Sequence, residues 1–288
     1  MRRAFVWLFL IGLLSAQIGT IVAVRDGVWV QSHSKWILAR AGMKLTYEDR
    51  VKIDTLGYLA LILPGGKAVE VKKPGIYTIE DFKVHSSDGR DAISARYTGY
   101  VLNQAIAAGQ GRPSGKTLGA VTRSPMAPVP LTPNKAYFYA DSVILQWNRV
   151  IGAGGYMIYI EDYTGAWIAS IQVPAETHEV VINMRNIVSS QNCYYWSIST
   201  LRYPSMISQK YCFYILLPEE EAKIKAEENL LINSLDETQA ISHAILGSFY
   251  EDKKMYGYAF IAYSRASQIE PEVEIYSRMR DNLSKKTY

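Results

Sequence analysis

Gly155-Tyr156-Met157-Ile158-Tyr159-Ile160-Glu161-Asp162-Tyr163-Thr164-Gly165 places large apolar residues at 156, 158 and 160 and then runs into a turn. Strict alternation is the period of a half-buried strand, whose successive side chains point to opposite faces. The same pattern extends both ways. Val143-Leu145-Trp147 precedes it, and Gly152 to Gly155 supplies the turn between. Ile168-Ser170-Gln172, Val180-Ile182, Tyr194-Trp196-Ile198 and Tyr211-Phe213-Ile215 follow. About seven strands between residues 135 and 217 predict an antiparallel β-sandwich. The chain's 21 tyrosines among 288 residues suit such a fold, because large rings pack well on a pleated surface.

Its two cysteines, Cys193 and Cys212, lie in the last two of these apolar runs. Arg202-Tyr203-Pro204-Ser205-Met206 provides turn chemistry between them. Folding the hairpin near residue 203 brings Cys193 opposite Cys212, so a cross-strand disulfide is expected. The four histidines stand apart at 33, 85, 178 and 243, which leaves no ligand spacing for zinc. No metal or other cofactor is expected.

Upstream, residues 17–108 read as a second all-β domain. Short segments at Ile18–Val30, Trp36–Leu38, Val51–Ile53, Tyr58–Leu63, Ala68–Val71 and Ile76–Ile79 are separated by turns such as Pro64-Gly65-Gly66 and Pro74-Gly75. A closing helix follows, capped by Ser87, with Ile93, Tyr97, Tyr100, Val101, Gln104 and Ala108 on one face. Residues 109–134 hold five of the 11 prolines (113, 125, 128, 130 and 133), and are expected to form an extended linker unable to pair as a strand. From Pro218 the composition becomes helical. Glu219 to Leu235 is a charged segment with Ala222, Ala226 and Leu230 recurring at i+4, and three more helices are expected within 218–288.

The N-terminus carries Met1-Arg2-Arg3, the apolar run Ala4–Leu14 and the small residues Ser15-Ala16. This is the pattern of a secretory signal peptide over residues 1–16, and the run is shorter than the ~20 residues a spanning helix needs. Export places the cysteines in an oxidising compartment. After cleavage no membrane span remains in this reading, and the protein is periplasmic or at the cell surface.

Several chemistries fail on spacing. Gly109 to Thr117 (GQGRPSGKT) misses the P-loop, because Gly109 leaves five residues before Gly115-Lys116-Thr117 and Gly111 leaves three. The acid runs Glu48-Asp49, Glu161-Asp162 and Glu219 to Glu221 fit loops and helix starts better than a hydrolytic pair. The net charge of +4 is small, and no nucleic-acid partner is expected.

Three family resemblances overlie this reading. Gly19-Thr20-Ile21, Asp26-Gly27-Val28, Ala41-Gly42-Met43-Lys44-Leu45, Asp49-Arg50-Val51 and Leu61 to Lys67 resemble, in order, a FecR-like periplasmic domain. That implies an all-β extracytoplasmic module. The regulatory activity of FecR proteins also needs a cytoplasmic anti-sigma segment and a transmembrane helix, and does not carry over. Leu145-Gln146-Trp147, Gly155 to Ile160 and Tyr194 to Ile198 resemble a fibronectin type III or immunoglobulin-like sandwich with a core tryptophan. Leu246-Gly247, Tyr250, Ala259, Tyr263, Ala266 and Pro271 stand at the offsets of a tetratricopeptide repeat, with His243 in place of its tryptophan. That implies a helical hairpin in which Gly247, Ala259 and Ala266 allow close approach. It also implies a concave side carrying Ala244, Ser248, Glu251 and Asp252 as partner-binding residues. A lone repeat needs support from neighbouring helices, another domain or a partner.

The fold class is therefore multi-domain, mainly β with an α-helical C-terminus. The expected function is that of a non-enzymatic envelope scaffold or adaptor, binding envelope proteins through the helical tail. The alternative is binding of cell-wall or surface glycan, with Tyr159 and Tyr195 on the strand face opposite Tyr156 and Trp196.

Overall fold

The computed structural model describes residues 19–84, 92–109, 127–131, 134–186 and 193–285. The expected signal peptide, the Ser87 cap and most of the P-loop-like segment lie outside the described residues.

The N-terminal unit is a sandwich of two four-stranded antiparallel sheets. Its strands are β1 (Gly19–Arg25), β2 (Val28–Ser32), β3 (Lys35–Leu38), β4 (Lys44–Leu45), β5 (Arg50–Ile53), β6 (Tyr58–Leu63), β7 (Lys67–Val71) and β8 (Gly75–Thr78). One sheet runs β4-β1-β6-β7 and the other β3-β2-β5-β8. Alternation decides what each sheet buries. Ile21, Leu59, Leu61 and Val69 meet Val28, Val30, Val51 and Ile53 between the sheets. Val22, Tyr58 and Ala60 point to the opposite side of the first sheet. A short helix, α1 (Ile79–Val84), closes the sandwich with Phe82, and α2 (Ala92–Gly109) crosses outside the first sheet. Gly66 makes that crossing possible. A Cβ there would fall 2.3 Å from the Ala95 Cα, and Thr98 Oγ1 donates to the Gly66 carbonyl at 3.0 Å.

The second unit is an immunoglobulin-like β-sandwich. Its strands are β9 (Ala136–Phe138), β10 (Val143–Gln146), β11 (Tyr156–Glu161), β12 (Trp167–Val173), β13 (Glu179–Ile182), β14 (Tyr194–Thr200) and β15 (Tyr211–Ile215). A five-stranded sheet β12-β11-β14-β15-β9 faces the pair β10-β13, with β9 parallel to β15 and every other pairing antiparallel. Trp147, Tyr156, Ile158, Trp196 and Phe213 fill the interior.

Two details depart from the sequence reading. The C-terminal end of the expected linker joins the second sandwich through an isolated antiparallel bridge. Leu131 N–H donates to Gln146 O at 2.8 Å, Asn148 N–H to Val129 O at 3.0 Å, and Pro130 bridges Trp147. Pro130 sits between the two bonded positions, so its missing N–H costs nothing at a sheet edge. The disulfide Cys193–Cys212 is present, with Cα atoms 5.7 Å apart. The ladder sets Tyr195, not Cys193, opposite Cys212, so the bridge runs diagonally from just before β14. The hairpin is centred between residues 203 and 204.

The C-terminal helices are α3 (Pro218–Asn233), α4 (Ala240–Asp252), α5 (Tyr256–Ile269) and α6 (Glu274–Lys285). Helices α4 and α5 form a tight hairpin, and a Cβ on Gly247 would fall 2.4 Å from the Tyr263 ring. Ala259 and Ala266 are fully buried. The inward stripe of α3 is Glu221, Ile224, Glu228 and Leu231, while Leu230 is exposed. The i+4 apolar recurrence pointed to the wrong face, because α3 turns carboxylates inward to meet buried hydroxyls. The tail also does not stand alone. Tyr97, Val101 and Ala105 of α2, Val22 and Tyr58 of the first sheet, and Ile241, Phe249, Tyr263 and Tyr276 of the tail share one core. The N-terminal unit is thus layered as helices, buried sheet and second sheet, with the outer face of β3-β2-β5-β8 open to solvent.

Candidate interaction surfaces

The four residues expected to face a partner face α2 instead. Ala244 and Ser248 are buried, and Ser248 Oγ donates to Tyr97 O at 3.2 Å. Glu251 accepts from Tyr100 OH at 2.8 Å and from Tyr263 OH at 2.6 Å. Asp252 pairs with Arg96 at 3.0 Å and accepts from Tyr97 OH at 3.1 Å. Burial first, and the neighbouring carboxylates after it, push the Tyr97 and Tyr263 hydroxyls upward, so both stay protonated donors. The sequence placed these residues on one face correctly but could not show that α2, some 150 positions earlier, occupies it.

Two more tyrosine–carboxylate groups join the tail to the β units. Glu70 of β7 accepts from Tyr58 OH and from the Ile241 N–H, both at 2.6 Å, and Tyr58 OH meets Tyr276 OH at 2.7 Å. Beside them Glu270 pairs with Lys72 at 2.5 Å and Arg25 at 3.3 Å. Desolvation raises the Glu70 carboxyl above its ordinary value, against the hydrogen bonds from Tyr58 and Ile241. On the other side of α4, Glu228 of α3 accepts from Tyr139 and Tyr250, and Tyr258 OH donates to Ser142 O at 2.6 Å. The tyrosine surplus thus has a second cause besides strand packing. Rings fill the junctions and hydroxyls satisfy acids buried there.

The acid runs serve local structure. Asp49 accepts from Thr46 N–H at 2.7 Å, and Glu221 pairs with Lys225 at 2.8 Å and Arg185 at 3.3 Å. Asp162 shapes the β11–β12 turn by accepting from the Thr164 hydroxyl and the Ala166 N–H, and the Thr164 bond leads in lowering its carboxyl. Among the described residues no three or more His, Cys, Asp or Glu are grouped to hold a metal ion. No described helix is long and apolar enough to cross a membrane.

Tyr159 and Tyr195, the residues behind the glycan alternative, are half-buried. Tyr159 OH meets Ser199 Oγ at 3.4 Å, and Tyr195 sits opposite Cys212. A broader aromatic face lies elsewhere and escaped the sequence reading. On the outside of β3-β2-β5-β8, the register aligns Leu38, Trp29, Lys52 and Ile76 in one row and Trp36, Gln31, Arg50 and Thr78 in the next. Trp36 is 40%, Leu38 47% and Ile76 61% exposed. The clue was present, since Trp29 alternates with the inward Val28 and Val30.

A second open feature is β12. It pairs with β11 alone, and no described strand covers its other edge. Its seven residues, WIASIQV, carry no charge and no proline, and Trp167 is 67% exposed.

No known protein family matches the chain in sequence, and no curated protein does. A solved structure of the FN1–FN3 domains of chicken CNTN1 is similar at 10% identity, with a TM-score of 0.23 over 67% of this chain and 51% of that one. The chain thus matches about half the length of that structure. The assignment of the second unit as an immunoglobulin-like sandwich stands on its own strand order.

Proposed function

We propose that this protein is a non-enzymatic scaffold or adaptor of the bacterial envelope, exported by its N-terminal signal and acting through protein–protein contact. The observation that carries this reading is the edge of β12, which no described strand covers. Exposed edge strands are ordinarily protected by lysine, proline or bulges, because their free N–H and C=O groups pair with any extended chain. A bulge at Ile168 interrupts β12, and beyond it residues 169–173 form a regular edge with no lysine and no proline, which suits a partner that adds a strand, main chain to main chain. The disulfide accords with an oxidising compartment. On the FecR-like and tetratricopeptide-like resemblances, the N-terminal unit is an extracytoplasmic module and the α4–α5 hairpin is one repeat. Its concave side takes α2 of the same chain as its ligand, so the tail acts as a brace.

The test is a photo-reactive residue at Ser170, cross-linked in the native envelope. Capture of one envelope protein, lost when Ile168→Lys is added, is the expected outcome. No capture, or capture indifferent to the lysine, removes the edge from the reading.

The second reading is binding of cell-wall or surface glycan. It is favoured by the exposed indole of Trp36 beside Trp29, and moves the site from Tyr159 and Tyr195 to the N-terminal sandwich.

A further inference from the structure

An antiparallel sheet with one solvated face ordinarily turns polar side chains outward. The outer face of β3-β2-β5-β8 instead presents Trp29, Trp36, Leu38 and Ile76, interrupted by Arg50 and Lys52. Trp36 is the register partner of Gln31, two residues from Trp29 on β2, so the two indoles are diagonal neighbours within reach of one another. Lys52 Nζ lies over the Trp29 ring, 5.0 Å from its centre, so a cation caps that half-buried indole and the open stacking surface is Trp36. Lys52 shares Asp54 at 3.3 Å, while Arg50 has no ion pair among the described residues. The face is thus aromatic and cationic.

We propose that this face binds a linear anionic polysaccharide, with a sugar ring stacked on Trp36 and the carboxylate or phosphate groups met by Arg50 and by Lys52, held over Trp29. The inference rests on the glycan reading above and names its ligand class and site. Size argues for a linear polymer. Four strands by four residues give roughly 19 by 13 Å, about 250 Å², whereas a standard protein interface covers about 800 Å² per partner. A second copy or a globular partner would overhang the patch on every side. An extended peptide is also poorly served, because it binds a sheet through free main-chain groups at an edge, and a sheet face offers none. Sugar rings need no such groups. Their C–H faces are attracted to the negative face of an indole, and their charges meet fixed cations.

The test uses the full chain in affinity gel electrophoresis with alginate, dextran, polyglutamate or single-stranded DNA in the gel. Alginate is expected to retard the protein at least tenfold more strongly than dextran or polyglutamate, and less as salt rises. Trp36→Ala and the pair Arg50→Glu with Lys52→Glu should each weaken the alginate effect at least fivefold, with unchanged far-UV circular dichroism. Equal retardation by dextran overturns the anionic class and leaves the glycan reading standing. Retardation by no polysaccharide overturns both. Polyglutamate or single-stranded DNA acting as strongly as alginate reduces the face to a polyanion site, and alginate binding indifferent to the variants removes the site from this sheet.

Discussion

Glu70 caps helix α4 through Ile241, a residue 171 positions later in the chain. Its Oε1 accepts the Ile241 N–H at 2.6 Å, in the first turn of α4, where Gln239 makes no side-chain cap. The same oxygen takes the Tyr58 hydroxyl, so one carboxylate ties the first sheet to the tail. Loss of this cap in Glu70→Ala should cost about 1 kcal/mol or more, by analogy with ordinary N-caps. Glu70→Gln keeps an acceptor and should cost less. Denaturant midpoints of the two variants decide this.

The burial of Glu70 also gives stability a pH dependence. Desolvation raises its carboxyl in the folded state. A raised acid contributes stability that is full below its ordinary value and lost as pH rises through the folded value. Relative to Glu70→Gln, the wild-type chain should therefore lose stability as pH climbs from the ordinary glutamate range towards neutrality. Denaturation across that window checks it, and parallel curves for the two proteins would contradict the assignment.

Removing residues 218–288 should not release a soluble pair of β domains. The tail covers Val22, Tyr58 and Ala60 on the first sheet and Tyr97, Val101 and Ala105 on α2. At roughly 1.5–3 kcal/mol for each large side chain buried, this surface exceeds what a marginally stable domain can lose. A chain ending at Leu217 is expected to bind a hydrophobic dye strongly and to aggregate. A monomeric product with native near-UV signal would show the tail to be dispensable.

How much of this was legible follows from the range of each signal. Tyr156, Ile158 and Ile160 declare a strand locally, and the order of such strands implies the sandwich. Gly247 declares a close approach because nothing else excuses a glycine inside a helix. The occupant of the tail's concave side was not legible. Tyr97 and Val101 advertise an apolar helix face, and Ala244 and Ser248 a receptive one, but nothing local pairs them. Leu230 misled for a related reason. The i+4 rule rewards apolar residues, whereas α3 packs through Glu221 and Glu228, whose partners Arg185, Tyr139 and Tyr250 lie in other elements. Trp29 and Trp36 come together on the outer face only through the β2–β3 register, which no local pattern supplies.

Gly247→Ala sets two effects against each other. Alanine gains about 1 kcal/mol of helix propensity over glycine. Its Cβ would fall 2.4 Å from Cε1 and 2.5 Å from Cδ1 of Tyr263, a fully buried ring whose hydroxyl is fixed by Glu251. Overpacking of this kind costs about 1–3 kcal/mol, so the variant should be destabilised overall. Adding Tyr263→Leu should recover part of the loss. A single variant more stable than wild type would mean that α4 and α5 are not held this closely.

The disulfide gives the last prediction. Cys193 and Cys212 are 19 residues apart, and closing a loop of that length in the unfolded chain is worth about 3 kcal/mol. Because the bridge joins Cys193, just before β14, to Cys212 within β15, it secures the entry to β14 more than the ladder itself. Reduction, or the double change Cys193→Ser with Cys212→Ser, should lower the denaturant midpoint by an amount of that order. The Tyr194–Phe213 and Trp196–Tyr211 pairs should survive it, because their rings are buried on their own account. The reduced protein should thus keep its near-UV spectrum in the absence of denaturant. Loss of that spectrum on reduction alone would mean that the bridge, and not the aromatic core, holds the last hairpin in register.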